Sequence, residues 1–584
     1  MSESKDRKKP GSVITRRQFL RRAGLTGAGL AAAACAPTVV EVEKEVAVPV
    51  ERIVVEEKQV TAVPEVLEYV LKHPISQDPQ GLDPNNPMMP SNKEMGYMYN
   101  EGLYRLTTNG IEPNLATEMP STENDGKRWV IPLRKGVKFH NGKAFTAADV
   151  KYSLDFIKDN GLSTSSLLAN VDSVSVEGDH TVVIDLVAPD AFLLSAMSVC
   201  DGPRIVAEGA YDGAPVEKEG VQTALTNDVP GVTTGPYEII EYSIEERVVL
   251  RRFDDYWGWD HFWNGFSEHI PKYVVFEVVG DPTVRVSQVI AQAQDWYFNV
   301  PVAYEERVNQ EPGLRGVTVA EPFIQYLAFV GEGILGFTEQ GIHNRKAITA
   351  AMDRIDINNV VNAGMGSPAW AFWYADDPLV NEKVKEIHTV RSDFDLARKH
   401  LQLAGNPDGF DAHFVLAEGR GYEIGAGVIA EHCAKVGINL TMESNVSSAN
   451  WPRVIDNEVD GCYHDAGDSG IWAVEYGRYY PEPHGIAPWH MDDMPQEWLD
   501  RFMGAMDEFR TSAPGTKAYE DAAKNVQWVN ADLCLHVPAV HGARIETSWD
   551  YVSGVEPSPT ITPMIHGVSL WETPHGPPSR PTPA

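Results

Sequence analysis

The chain is poor in the residues that would tie it to several common chemistries. It has five cysteines in 584 residues, and none falls in a CxxC pair. That excludes a thioredoxin-like redox motif and a zinc ribbon. No HExxH occurs, nor a spaced Cys/His cluster, so no zinc-site motif is present. A glycine-rich phosphate loop is missing too: Gly425-Ala426-Gly427 has no third glycine in register and follows no clear strand. Positive charge is scarce, with 49 Lys and Arg against 83 Asp and Glu, a net charge of −34. Residues 1–34 hold eight basic and two acidic residues, so the remainder stands near −40. Such a surface repels nucleic acid and anionic headgroups, and no nucleic-acid partner is expected. Beyond Ala34 no apolar run is long enough to span a bilayer.

What is present begins at the N-terminus. Lys5, Arg7, Lys8, Lys9, Arg16, Arg17, Arg21 and Arg22 precede an apolar stretch from Ala23 to Ala34. The stretch is too short and too alanine-rich to span a bilayer, so it reads as an export signal. The Arg16-Arg17 pair, set in Thr15-Arg16-Arg17-Gln18-Phe19-Leu20, resembles a twin-arginine signal. Ala32-Ala33-Ala34-Cys35 resembles a lipobox with Cys35 as the acylated residue, although Ala32 stands where leucine is usual. Residues 36–64 alternate valine with charge, interrupted by Pro49 and Pro64. An extended tether holding the body off a membrane is the economical reading, and a spacer with no further role is the alternative. The expected location is extracytoplasmic, membrane-anchored through a lipid, in a periplasm or on the outer face of the cytoplasmic membrane. In an oxidising compartment Cys200, Cys433, Cys462 and Cys534 allow three pairings. Sequence does not choose among them, or between bridges and buried thiols.

The length argues for two to four domains. A first strand is expected over Glu65–Val70, and another over Trp129–Leu133 with Trp129, Ile131 and Leu133 on one face. Arg134-Lys135-Gly136 would turn the chain so that Val137–Phe139 pairs back. Thr146 and Asp149 form a capping box for a helix carrying Val150, Leu154 and Ile157. Further on, Asp393 caps a helix that ends at Gly405. A second helix, with Ile424, Val428 and Val436 on its stripe, stops at Gly437, and a strand with Ile438, Leu440 and Met442 follows. Helix, glycine, strand at this spacing indicates an α/β lobe.

Several segments in unbroken order carry a resemblance. Asn100-Glu101-Gly102-Leu103-Tyr104 is followed by Leu133-Arg134-Lys135-Gly136-Val137-Lys138-Phe139-His140-Asn141-Gly142. Phe145-Thr146-Ala147-Ala148-Asp149-Val150 comes next, then Thr234-Gly235-Pro236-Tyr237, Tyr256-Trp257, and Asn344-Arg345-Lys346 to Met352-Asp353-Arg354. Together they resemble the family 5 extracellular solute-binding proteins, receptors of oligopeptide, dipeptide and nickel ABC importers, over roughly residues 66–570. The resemblance implies a type II-like, two-lobed α/β fold with an added small domain. The implied boundaries are lobe I at 65–110, 206–318 and 539–584, the small domain at 111–205, and lobe II at 319–538. It also implies a monomer that takes a small-molecule ligand between the lobes and delivers it to ABC permease subunits, with no catalytic residue, cofactor or resident metal. Two departures stand out. Ala293-Gln294-Asp295-Trp296 replaces a Gly-Glu/Asp-Ile-Asp-like segment, and Gly461 to Trp472 lacks the Asp-Pro pair of the peptide receptors' ligand loop.

In peptide-binding relatives a carboxylate from that loop pairs with the ligand's α-ammonium. A buried charge is tolerable only when paired, so Asp465 and Asp468 are the candidates here. Against this, both could be loop carboxylates in water. Trp472 is the candidate wall of the cleft, with Tyr463 beside it. Trp257 and His140 fall in packing motifs of the family and are expected to be structural. His464 beside Asp465 does not make a metal site. A short peptide is the first ligand expected, then an oligosaccharide, from the aromatic richness and the altered loop, then a nickel complex. Two rivals are an exported hydrolase and a sensory binding protein. Gly467-Asp468-Ser469-Gly470 mimics a trypsin-like nucleophile segment, but the surrounding pattern supplies no two-barrel scaffold.

Overall fold

The structure is a computed structural model. It describes residues 70–79, 81–85, 90–107, 110–162, 164–199, 202–212, 232–262, 269–418, 422–445, 447–466, 493–554 and 569–570. The Glu65–Val70 expectation thus lies outside the described residues except at its end, and the first strand described is Val70–Ile75.

Three larger sheets carry the architecture. The first has the order Val70–Ile75, Tyr273–Val278, Arg247–Arg252, Tyr237–Ser243, the first pair parallel and the others antiparallel. One face of it, with Leu71, Val248, Leu250, Val274 and Phe276, packs on Val286 and Val289 of helix Pro282–Ile290. Asp281 caps that helix, accepting the Thr283 and Val284 N–H groups. We call this core lobe I.

The second sheet has seven strands, ordered Trp296–Val300, His536–Trp549, Leu314–Phe329, Gly461–Ala466, Phe410–Ala417 and Ile438–Asn445, with Ser367–Pro368 also pairing His536–Trp549. Its last three strands run parallel to one another where they pair, and helices cover both faces. Helix Phe394–Leu403 is capped by Asp393, which accepts the Leu396 N–H, and Gly405 follows at φ +76°. We call this body lobe II.

The third sheet, Ser121–Glu123, Arg128–Pro132, Thr181–Leu186 and Val171–Val176, backs helix Ala147–Asn160 in a separate core. Val150, Leu154 and Ile157 are buried there, and the Asp149 carboxylate accepts the Thr146 N–H at 2.8 Å. The expected hairpin is not formed. Trp129 to Leu133 does place its alternate residues inside, but Arg128–Pro132 pairs with Thr181–Leu186. Val137–Phe139 pairs instead with Lys143–Phe145 across a turn at His140–Gly142, where the Gly142 N–H donates to the Phe139 carbonyl and Gly142 has φ +84°.

Two strands tie lobe I to lobe II. Leu314–Phe329 and His536–Trp549 run antiparallel along most of their length. At one end Leu314, Ala543, Ile545 and Trp549 belong to the lobe I core. At the other end Ile324, Tyr326, Leu327, Ala328, Phe329, Leu535, Val537, Ala539 and Val540 belong to the two lobe II cores. Between them the ladder breaks: Ala320 faces Ala543 and Ile324 faces His541, so Glu321, Pro322 and Phe323 stand against Gly542 alone. Proline has no N–H for the ladder, which suits Pro322 to a bulge. A Cβ on Gly542 would lie 2.3 Å from the Phe323 ring, so glycine is the residue that fits there.

Three cysteines, Cys433, Cys462 and Cys534, are buried free thiols. Burial pushes the Cys433 thiol up to about 12 and Cys534 to about 11. Cys35 and Cys200 lie outside the described residues. Ile424, placed by its spacing on an apolar stripe, is 56% exposed, and Tyr422, Gly425, Ala426, Ile429, His432 and Cys433 form the buried face of helix Tyr422–Ala434.

Candidate ligand-binding cleft

The strand Gly461–Ala466 leads into the candidate ligand loop. It is antiparallel to Ile324–Phe329, with Gln325 opposite Asp465, Tyr326 opposite His464 and Leu327 opposite Tyr463. Asp465 therefore sits one register position from the break in the ribbon, where the chain crosses between lobes. Asp468 and Trp472 lie outside the described residues, as do Arg16, Arg17 and Cys35.

Tyr463 faces the lobe II core and is 1% exposed. Its hydroxyl donates to the Gln325 side-chain carbonyl at 2.6 Å, and its ring meets Tyr422 edge-on. This contact also accounts for Gly425, where a Cβ would come within 2.6 Å of the Tyr463 hydroxyl. The glycine serves close packing of a helix on a strand.

The ribbon itself carries polar groups at the crossing that sequence reasoning missed. The His541 Nε2 lies 3.3 Å from the Trp373 carbonyl, and its ring packs against Tyr374. Burial holds this imidazole down to about 4, so it is neutral near pH 7. Asn362 brackets the same strand, donating to the His541 carbonyl and accepting the Ala543 N–H. On the lobe I side of the break, Arg544 donates to Glu546 at 2.8 Å, with both side chains at most 5% exposed. The guanidinium lies 5.1 Å from the Phe298 ring centroid. The available signal was Arg544-Ile545-Glu546: in a strand, charges two apart share a face, and a pair of opposite sign can be buried together.

The family packing motifs form a separate cluster where lobe I meets the small domain. Glu101 accepts hydrogen bonds from Thr234 Oγ1 at 2.8 Å, Tyr256 Oη at 2.9 Å and Trp257 Nε1 at 3.0 Å. Its pKa is raised by burial, against those donors. Arg134 stacks on Trp257, 4.2 Å from the ring centroid. His140 Nε2 sits 2.8 Å from the Gly235 carbonyl. Trp257 and His140 thus join the small domain to lobe I. Among the described residues no group of three or more His, Cys, Asp or Glu is placed to hold a metal ion, and no helix is long and apolar enough to cross a membrane.

Comparison with known proteins agrees with this arrangement. Residues 110–488 match the family described as bacterial extracellular solute-binding proteins, family 5 (middle part). The glutathione-binding protein GsiB of Escherichia coli (strain K12) is 25% identical over 345 residues, 56% of this chain. That of Pectobacterium atrosepticum is 24% identical over 342 residues. In both cases the match spans 60% of the relative's length. Among solved structures, a dipeptide-binding protein from Pseudoalteromonas sp. SM9913 in complex with Met-Leu superposes with a TM-score of 0.72 at 18% identity, covering 86% of this chain and 100% of the other. NikA from Staphylococcus aureus in complex with Ni(L-His)2 superposes with a TM-score of 0.71 at 16% identity, with the same coverage. These superpositions fix a two-lobed α/β fold with a small additional domain. With the family model matching well over half of its length, the chain belongs to the family 5 bacterial extracellular solute-binding proteins.

Proposed function

We propose that the chain is the extracytoplasmic receptor of an ABC importer, which captures a small solute between its lobes and hands it unchanged to the permease. The observation that carries this reading is the broken ribbon: two separate cores joined by strands whose ladder is interrupted opposite Gly542. Bending concentrates where backbone hydrogen bonds are missing, so this is where the lobes would hinge. A ligand drives closure only through its higher affinity for the closed state, and closure removes water from the few polar groups that select it. No covalent step is required of the protein.

A short peptide is the first ligand class. Asp465 or Asp468 would pair with its α-ammonium, and Trp472 would wall the cleft. Glutathione, named for the E. coli relative, and Met-Leu, bound in the Pseudoalteromonas structure, each offer one such ammonium. The missing Asp-Pro pair keeps an oligosaccharide as the second class and a nickel chelate as the third. Export through Arg16-Arg17, anchoring at Cys35 and a monomeric state complete the reading.

Native mass spectrometry of the protein as purified, followed by thermal-shift titration with glutathione, dipeptides, cello-oligosaccharides and nickel–histidine, tests it. A peptide at about a hundred times its Kd should stabilise the fold by about 2.7 kcal/mol. Asp465→Asn should remove most of that shift without lowering the ligand-free midpoint. A cleaved or otherwise altered ligand in the spectrum would replace the receptor by the exported hydrolase.

A further inference from the structure

The small domain touches both lobes, so it forms a second bridge alongside the ribbon. Toward lobe I the seam is broad. It holds the His140–Gly235 contact, a His140 N–H to Thr233 carbonyl bond of 2.9 Å and the Arg134–Trp257 stack, beside the buried lobe I cluster of Glu101 and its three donors. Toward lobe II, among the described residues, the contact is one short segment. Asp190 Oδ2 accepts Nε and Nη2 of Arg510 at 2.9 and 2.7 Å, and the two side chains are 0% and 2% exposed. The other carboxylate oxygen, Oδ1, accepts the Phe192 N–H at 2.9 Å and so shapes its own loop. The Ala191 N–H donates to the Arg510 carbonyl at 2.7 Å. Phe192, 1% exposed, enters the lobe II core and meets Phe509 edge-on with centroids 4.9 Å apart.

A bend of the ribbon would move lobe II relative to the small domain, which is held to lobe I, and so load this contact. We infer that Asp190, Ala191 and Phe192 form a releasable strap, which holds the small domain to lobe II while the lobes are together and parts when they separate. Two features make this seam the one that gives. It rests on three consecutive residues against the last turn of helix Gln496–Thr511, whereas the lobe I seam draws on four separated segments. Its central interaction is an ion pair, and charges leaving a buried site regain their hydration, which offsets much of the lost attraction. Such a pair fixes register strongly and resists separation weakly.

The inference rests on the hinged-receptor reading. Its test reads shape and amide exchange without ligand, so an error in ligand class leaves it standing. The full chain carrying both Asp190→Leu and Arg510→Met removes the pair without leaving a buried charge, and Phe192→Ala removes the plug independently. By hydrogen exchange, amides of Asp190–Ala196 and the end of helix Gln496–Thr511 should exchange at least about tenfold faster than in the wild type. Amides near Thr233–Tyr237 should keep their rates, and small-angle scattering should give a larger radius of gyration. If the double variant fails to fold, the same readings on Phe192→Ala decide. Unchanged scattering and exchange, or loss of protection at Thr233–Tyr237 in place of the strap, would overturn the inference.

Discussion

Burial sets the protonation of several imidazoles, and this makes stability depend on pH in a definite direction. His140, His400 and His541 are held down to about 4 and His536 to about 3, each mainly through desolvation of the charged ring. In the unfolded chain these groups titrate near 6.5, so below that pH the unfolded state binds protons that the folded state refuses. Their effect is absent above about 6.5 and destabilises progressively as the pH falls toward 4. Asp83 acts in the opposite sense. It is raised from 3.8 to about 7, and its cost grows as the pH rises through that window. His343 and His388 are lowered as well, and Glu101 and Asp377 raised, so six imidazoles against three carboxyls decide the sign. The thermal midpoint should rise from about pH 4.5 to 6.5, with a shallower slope in His140→Asn, and an unchanged slope in that variant would refute the assignment. Residues whose partners are local were legible in the sequence: Asp149 and Asp393 lie within three residues of the N–H groups they accept. Asp190 and Arg510, 320 positions apart, left no local mark of their pairing.

At the scale of elements, periodicity identified strands and helices but not their partners. Trp129–Leu133 was readable as a strand because alternate residues are buried. The neighbour it chose, Thr181–Leu186, reflects the geometry of the whole small domain. The stripe of helix Tyr422–Ala434 was misjudged because its buried face includes glycine, alanine and isoleucine under Tyr463, leaving Ile424 outside. The break in the ribbon was unreadable for the same reason, since Gly542 gains meaning only from Phe323 across the ladder. It carries a prediction. Gly542→Ala should cost about 1–3 kcal/mol in chemical denaturation, because the added methyl meets an aromatic ring on the facing strand. Pairing it with Phe323→Ala should recover most of the loss. If the single variant is neutral, or the double variant no better than the single, the steric account of the break is wrong.

For the whole molecule, the resemblance read from short motifs covered the fold class, because several of those motifs sit where lobe I meets the small domain and another lies in a lobe II core. It could not place the ligand groups, since the segment after Ala466 departs from the peptide receptors at the point where specificity would be set. Charge is the remaining molecular property with a measurable consequence. At −34, the chain repels itself in its compact form. Ion pairs such as Lys517–Asp521 and Arg398–Asp395 oppose this, but they are solvent-exposed and each contributes little. Raising the salt from about 10 to 150 mM shortens the screening length from about 30 to 8 Å. That removes repulsion between distant carboxylates while leaving contacts of a few ångströms largely intact. The thermal midpoint should therefore climb over this range, equally with sodium and potassium chloride, and level off once the screening length falls below the usual spacing of surface charges. A midpoint that falls with salt would mean that the exposed pairs outweigh the net charge, and a rise with one cation alone would point to specific ion binding in place of screening.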